Sequence, residues 1–165
     1  MRIAGLVQDS IVDGPGLRFT VFTQGCIHDC PGCHNPETHD PAGGREMSVQ
    51  EIVDEMVKNP LSDGLTLSGG DPFCQAADCA ELAKIAHSLH FDVWTYTGYT
   101  YEQLAALAGT DPAVDALLRE TDVLVDGPFL IRQRSLSTKW RGSTTQRLID
   151  VRASLAAGRA VAAAD

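Results

Sequence analysis

Three cysteines crowd into the segment Gly25–Asn35, which reads Gly-Cys-Ile-His-Asp-Cys-Pro-Gly-Cys-His-Asn. Thiols stand at Cys26, Cys30 and Cys33, and Gly25, Pro31 and Gly32 force the chain around them into a tight loop. Unrelated buried thiols are common in protein cores, but a core face does not concentrate them in one turn-rich loop. A structural zinc requires a fourth ligand. His28, His34 and His39 are near, yet His34 adjoins Cys33, and adjacent residues rarely both reach one ion. Zinc motifs also favour a distant second pair of ligands. An iron–sulfur cubane usually takes four thiolates. Three thiolates would leave one iron without a protein ligand, and such an iron is open to a substrate.

The rest of the composition narrows the setting. A chain of 165 residues, 44% hydrophobic and 21% charged, has the make-up of one globular domain that needs no disulfides. Five cysteines is also an odd number for a closed disulfide framework. A formal charge of −9 argues against a broad nucleic-acid-binding face. No apolar run approaches the roughly 18 residues that read as a membrane span, and the first ten residues lack the apolar core of a signal peptide. The expectation is a reducing cytoplasm, where clustered cysteines indicate metal or catalysis.

Residues 2–8 read as an edge strand, and Asp13-Gly-Pro-Gly16 as a turn. Leu17–Thr23 is rich in β-branched and aromatic residues and reads as a strand, so the cysteine loop begins at a strand's carboxyl end, where parallel α/β folds place their sites. Residues 36–46 look irregular. Ser48 and Glu51 form a capping box for a helix whose apolar face is Val49, Ile52, Val53 and Met56, with Pro60 past its end. A strand over 64–68, the turn Gly69-Gly70-Asp71-Pro72 and a helix over 75–89 follow, with Leu82, Ile85, Ala86 and Leu89 on the helix's apolar side. Further strands are expected over 91–97, 122–126 and 146–151. A helix is expected over 101–107, and another with Pro112 in its first turn. This alternation predicts an α/β fold with a mainly parallel sheet. The chain is too short for a full eight-stranded barrel and fits an open, partial (β/α) barrel. One domain is expected over 1–152, followed by an alanine-rich C-terminal tail over 153–165 that forms a short helix or frays.

Cys26-x-x-x-Cys30-x-x-Cys33 has the signature spacing of the radical S-adenosylmethionine enzymes. With Asp13-Gly-Pro-Gly-Leu-Arg18, Gln24-Gly25 and His34-Asn35 around it, the region resembles the activating enzymes of glycyl-radical proteins. Leu67-Ser-Gly-Gly-Asp-Pro72, Tyr96-Thr-Gly-Tyr-Thr100, Val125-Asp-Gly-Pro-Phe129 and Arg141-Gly-Ser-Thr-Thr-Gln-Arg147 are similar to blocks of the anaerobic ribonucleoside-triphosphate reductase activating proteins, and the similarity runs from about Gly5 to Val151.

The resemblance implies the radical S-adenosylmethionine type of partial barrel. It implies a 4Fe–4S cluster on Cys26, Cys30 and Cys33, with S-adenosyl-L-methionine on the fourth iron. One electron from a low-potential donor would cleave the sulfonium, and the 5′-deoxyadenosyl radical would take hydrogen from a glycine near the C-terminus of the reductase large subunit. The implied cofactor-binding residues are Gly32, His34, Ser68, Gly69, Gly70, Asp71 and Thr97. Asp71 stands where most of the superfamily has glutamate, and Gly32 where an aromatic residue commonly sits beside the adenine. An activase for another glycyl-radical protein, or a non-catalytic iron–sulfur or zinc module, are the competing readings.

Several further residues carry two readings each. Asp13 and Arg18 are a candidate local ion pair, or orient the first strand at the site. Tyr96–Tyr99 and Asp126 either serve the cofactor or only end their strands. Cys74 and Cys79 are expected to pack a helix, since a second cluster needs more ligands. Arg132, Arg134, Lys139, Arg141 and Arg147 are either a solvated basic loop or a docking surface for the reductase.

Overall fold

In the computed structural model, which describes residues 1–11, 13–25, 43–59, 61–127 and 146–163, strands and helices alternate much as the sequence predicts. The strands are β1 (Arg2–Ser10), β2 (Arg18–Thr23), β3 (Arg45–Glu46), β4 (Gly64–Gly69), β5 (Asp92–Tyr96), β6 (Val123–Asp126) and β7 (Arg147–Asp150). The helices are α1 (Val49–Met56), α2 (Ala76–Ser88), α3 (Tyr101–Ala108), α4 (Pro112–Glu120) and α5 (Val151–Ala157), with a 3₁₀ turn over Pro72–Gln75 leading into α2.

One sheet holds all seven strands in the order β3-β1-β2-β4-β5-β6-β7. Its centre, β2-β4-β5-β6, is parallel, as right-handed helical crossovers require. β1, β3 and β7 join it antiparallel. The first strand is therefore not the edge: Arg2 and Ile3 pair with Glu46 and Arg45 of β3, in a stretch the sequence leaves irregular.

Strand alternation divides the sheet chemically. Phe19, Val21, Leu65, Leu67, Val93 and Leu124 face the helices and join Ile52, Met56, Leu82, Leu104 and Leu117 in the main core. The other face carries Arg18, Thr20, Thr66, Ser68, Trp94 and Tyr96, and its small apolar cluster is Trp94, Val125 and Leu148. Helices on one side and a polar, partly open second side make the sheet a partial barrel.

Local signals set the boundaries. Ser48 Oγ accepts from Glu51 N–H (3.1 Å) and Glu51 Oε1 from Ser48 N–H (3.0 Å), the capping box of α1. Thr100 and Gln103 form a second box, on α3. Pro112 opens α4 behind the Asp111 cap. Leu89 does not belong to the apolar face of α2: it caps the helix and is 39% exposed, and His90 turns the chain away at φ 67°. The last strand stops at Asp150, whose side chain accepts from Ala153 N–H and starts α5 directly. Residue Ala162 then bridges back to Ile149. Pro60 lies outside the described residues. No helix among the described residues is long and apolar enough to cross a membrane.

Candidate functional site

Parallel pairing brings the carboxyl ends of β2, β4, β5 and β6 to one end of the sheet. The pairing of β2 with β4 continues past the strands: Gly70 N–H donates to Thr23 O (2.7 Å) and Asp71 N–H to Gly25 O (2.8 Å). The segment leading into Cys26 is thus held directly against Ser68–Asp71. The two glycines make this approach possible. A Cβ on Gly69 would collide with the Thr23 backbone, and one on Gly70 with the Gly25 carbonyl. Gly69 also sits at φ +93°, a conformation that disfavours a side chain.

Asp71 continues the rim to the next strand. Its carboxylate is fully buried and accepts from Phe73 N–H (3.0 Å), from the Thr97 hydroxyl (2.9 and 3.1 Å) and from Gly98 N–H (3.0 Å). It caps the 3₁₀ turn and ties β4 to the loop after β5. Thr97 N–H donates to Val125 O (3.0 Å) and Gly127 N–H to Tyr99 O (2.7 Å), which brings in β6. Gln75, which sequence reasoning missed, closes the other side: its amide donates to Gln24 O (3.0 Å) and Arg2 O (2.7 Å). A lone glutamine after a turn gives no sequence signal for this.

Ser68, Gly69, Gly70, Asp71 and Thr97 are therefore neighbours on one rim. The other residues singled out for the site, Cys26, Cys30, Gly32, Cys33 and His34, lie outside the described residues, as do His28 and His39. Among the described residues no three histidine, cysteine or carboxylate side chains form a metal-holding group. Cys79 is buried in α2, where burial first and the Asp78 charge second push its thiol well up and keep it protonated. Cys74 is exposed, so only Cys79 packs the helix.

Two charged residues have other partners than the sequence suggests. Arg18 is fully buried on the second sheet face at the end opposite the rim. It reaches across Gly64 to Asp92 Oδ1 (2.6 Å), donates to Thr66 Oγ1 (2.7 Å) and Leu65 O (3.0 Å), and lies 5.7 Å from the Trp94 ring centroid. Its ion pair is with Asp92, not Asp13, whose carboxylate accepts instead from Ser10 and Thr20. Arg147 clamps the buried Asp126 through Nε (3.0 Å) and Nη2, and reaches Glu102 Oε1 (2.6 Å). The hydrogen bonds to Asp126 and then Glu102 raise its pKa, and those from Arg147 lower that of Glu102. Arg147 thus joins β6, β7 and α3 and leaves the basic group. Arg132, Arg134, Lys139 and Arg141 lie outside the described residues.

A family model described as a 4Fe-4S single cluster domain matches residues 12–149. The anaerobic ribonucleoside-triphosphate reductase-activating protein of Vibrio cholerae is 39% identical over 146 residues, covering 82% of this chain and 89% of the relative. This chain belongs to the anaerobic ribonucleoside-triphosphate reductase-activating protein family. The Escherichia coli K12 member is 34% identical over 147 residues, with 82% of this chain and 90% of the relative covered. The member from Enterobacteria phage T4 is also 34% identical over 147 residues, with 83% and 86% covered. Among solved structures, QueE from Escherichia coli superposes with a TM-score of 0.50 at 17% identity, over 60% of this chain and 52% of that one. That likeness concerns the fold alone, an open partial (β/α) barrel.

The donor set suits an iron–sulfur cluster. Three thiols follow immediately on Gly25, at the carboxyl end of a central strand, and thiolates are the usual ligands of such clusters. Ser68, whose carbonyl accepts from the Thr23 hydroxyl (3.0 Å), is 9% exposed.

Proposed function

We propose that this chain activates an anaerobic ribonucleoside-triphosphate reductase, with Cys26, Cys30 and Cys33 holding a 4Fe–4S cluster and Ser68, Gly69, Gly70, Asp71 and Thr97, together with Gly32 and His34, forming the S-adenosyl-L-methionine site. When bound, the cluster and S-adenosyl-L-methionine supply a reductive carbon–sulfur cleavage whose 5′-deoxyadenosyl radical takes hydrogen from a glycine of the reductase.

The observation that carries this reading is the 2.8 Å hydrogen bond from Asp71 N–H to Gly25 O. It locks the start of the cysteine loop to the Ser68–Asp71 turn, so a ligand on a cluster in that loop lies beside the turn's backbone. Gly69 and Gly70 keep that backbone free of side chains. Asp71 acts at one remove: its carboxylate is occupied by Thr97, Gly98 and Phe73, so it positions the rim instead of touching the cofactor. The partner in this reading is the reductase large subunit, the electron comes from a low-potential donor, and the setting is the cytoplasm.

Anaerobic reconstitution followed by iron and sulfide analysis, product detection and electron paramagnetic resonance tests the proposal. Four irons and four sulfides per chain, 5′-deoxyadenosine on reduction, and a glycyl-radical doublet on the reductase are expected. Cys26→Ala, Cys30→Ala and Cys33→Ala each lose 5′-deoxyadenosine formation, while Cys74→Ala keeps its iron. Full activity in any of the first three overturns the ligand assignment. A cluster whose spectrum ignores added S-adenosyl-L-methionine identifies a non-catalytic module instead.

A further inference from the structure

Three successive carbonyls lead into Cys26, and one short segment holds all of them. Thr23 O accepts from Gly70 N–H (2.7 Å), Gln24 O from the Gln75 carboxamide (3.0 Å) and Gly25 O from Asp71 N–H (2.8 Å). In an extended chain, neighbouring carbonyls point to opposite edges. Thr23 O and Gly25 O face β4, so the Gly70 and Asp71 backbone reaches them directly. Gln24 O faces β1, out of reach of that backbone. The 3₁₀ turn Pro72–Gln75, started by the Asp71 cap, carries the chain round to the second side and delivers Gln75 there.

The Gln75 carboxamide enters the strand pair itself. Gln24 stands opposite Arg2, since Thr23 pairs with Ile3 and Gln24 N–H donates to Arg2 O (3.1 Å). A regular antiparallel pair of this kind exchanges both of its hydrogen bonds directly. Here the return bond is relayed. Arg2 N–H donates to Gln75 Oε1 (2.8 Å), and Gln75 Nε2 donates to Gln24 O and to Arg2 O (2.7 Å). Gln24 is 5% exposed, so the relay is sheltered from water on that side. Neither a carboxylate nor a hydrocarbon of similar length replaces the amide, because Gln24 O needs a donor and Arg2 N–H an acceptor.

Resting on the function proposed above, we infer that Gln75 is a positioning residue for the iron–sulfur cluster. Its carboxamide and the Asp71 N–H grip the Gln24–Gly25 peptide from opposite edges, and so fix the first thiol, Cys26, against the Ser68–Asp71 turn. Held from the β4 side alone, that peptide could tilt about one edge. The grip acts through the backbone and sets the spacing between the cluster and the turn that together bind S-adenosyl-L-methionine. Small misplacements of supporting groups of this kind weaken a site disproportionately.

The test uses the full chain, reconstituted anaerobically, as wild type, Gln75→Met, Gln75→Glu and Gly64→Ala. Gly64 pairs with Arg18 at the opposite end of the sheet, so Gly64→Ala controls for lost stability alone. Iron per chain, the dissociation constant for S-adenosyl-L-methionine, the melting temperature, and the electron paramagnetic resonance spectrum of the reduced cluster with and without S-adenosyl-L-methionine are measured on each. Gln75→Met loses donor and acceptor together, and Gln75→Glu sets a carboxylate against Gln24 O. Both are expected to keep their iron and to bind S-adenosyl-L-methionine about fivefold more weakly, the size of one neutral hydrogen bond, with a smaller spectral change on its addition. Gly64→Ala is expected to melt earlier with wild-type binding and spectrum. Loss of iron in both Gln75 variants but not in Gly64→Ala also supports the positioning role. Wild-type dissociation constants and spectra in the Gln75 variants, whatever their melting temperatures, overturn it and leave Gln75 a clasp between strands. Equal weakening in Gly64→Ala overturns it as well. A wild-type cluster whose spectrum ignores S-adenosyl-L-methionine removes the proposed function, and the positioning role with it.

Discussion

The Thr97 hydroxyl lies 2.9 and 3.1 Å from the two carboxylate oxygens of Asp71, and so joins the turn after β4 to the end of β5. Two residues 26 apart in sequence thereby fix the relative position of two loops at the rim. Asp71→Asn puts an amide donor where a carboxylate oxygen accepted from Phe73 N–H or Gly98 N–H, and leaves one buried donor facing another. A loss of about 2 kcal/mol is expected from that mismatch. Thr97→Val removes a donor but leaves Asp71 its two backbone partners, and about 1 kcal/mol is expected. Denaturant midpoints check both values. Equal stability of Asp71→Asn and wild type would mean the carboxylate does not hold the rim.

Gly64 is the gap through which Arg18 reaches Asp92. A Cβ there would stand 2.6 Å from Arg18 Nη2 and would overlap the Asp92 carboxylate. Gly64→Ala is expected to cost about 1–3 kcal/mol as an overpacked site, more than the usual gain from replacing a strand glycine. The pair is also asymmetric, since Asp92 is 45% exposed and Arg18 is fully buried. Arg18→Met releases a carboxylate that water can reach. Asp92→Ala strands a buried guanidinium and is expected to be the worse of the two, by about 1–2 kcal/mol. Urea unfolding of the two variants decides the order.

What the chain discloses before folding follows the range of each interaction. The Ser48–Glu51 box and the helix start at Pro112 were legible because both signals are local, the box joining atoms three residues apart. The cysteine motif was legible for the same reason, its spacing being that of a single loop. Arg18 was misread because its partner is 74 residues away and is selected by the register of three strands. Arg147 was grouped with other basic residues because charge is visible in sequence and burial of Asp126 is not. The antiparallel direction of β7 depends on a long connection, and nothing in Arg147–Asp150 encodes it. At the site, Gly69 and Gly70 were noticed but their nearest demand was not: they make room for the chain's own Thr23 and Gly25 before any ligand.

Arg147 supplies a further prediction. Asp126 is fully buried, and among the described residues the donor that meets it besides Arg147 is the Tyr101 N–H (2.7 Å). Arg147→Ala therefore leaves a buried carboxylate without its cation, at a cost of about 3–5 kcal/mol. Arg147→Lys is expected to recover less than half of that, because one ammonium cannot reproduce the fork that spans Asp126 and Glu102. Glu102→Gln is expected to change stability by under about 1 kcal/mol, since that arm of the clamp is 61% exposed. Thermal melting of the three variants at one pH is sufficient. A Lys variant as stable as wild type would show that charge alone holds β7.

His87 links the helix side of the fold to pH. Its Nδ1 lies 2.8 Å from Glu120 Oε2 and its Nε2 2.8 Å from Asp122 Oδ2, so both ring nitrogens face acceptors. Only the imidazolium can donate to both. Burial disfavours that charge, but the hydrogen bonds to Asp122 and Glu120 outweigh it, and the pKa is raised from the ordinary 6.5. The other groups that face this cluster are Val93 N–H, which donates to Asp122 Oδ2 (2.8 Å), and Arg152, 3.5 Å from Asp122 Oδ1. Above the unfolded-state value the folded chain holds the proton that the unfolded chain releases, so stability falls as pH rises. The contribution is complete below about pH 6.5 and is lost as pH climbs through the raised value. The loss falls on the contact between α2, the end of α4 and the start of β6. His87→Gln is expected to lower the melting temperature at pH 6 and to flatten its decline between pH 6 and pH 9. A variant whose pH profile runs parallel to wild type would show that His87 carries no excess proton in the folded state.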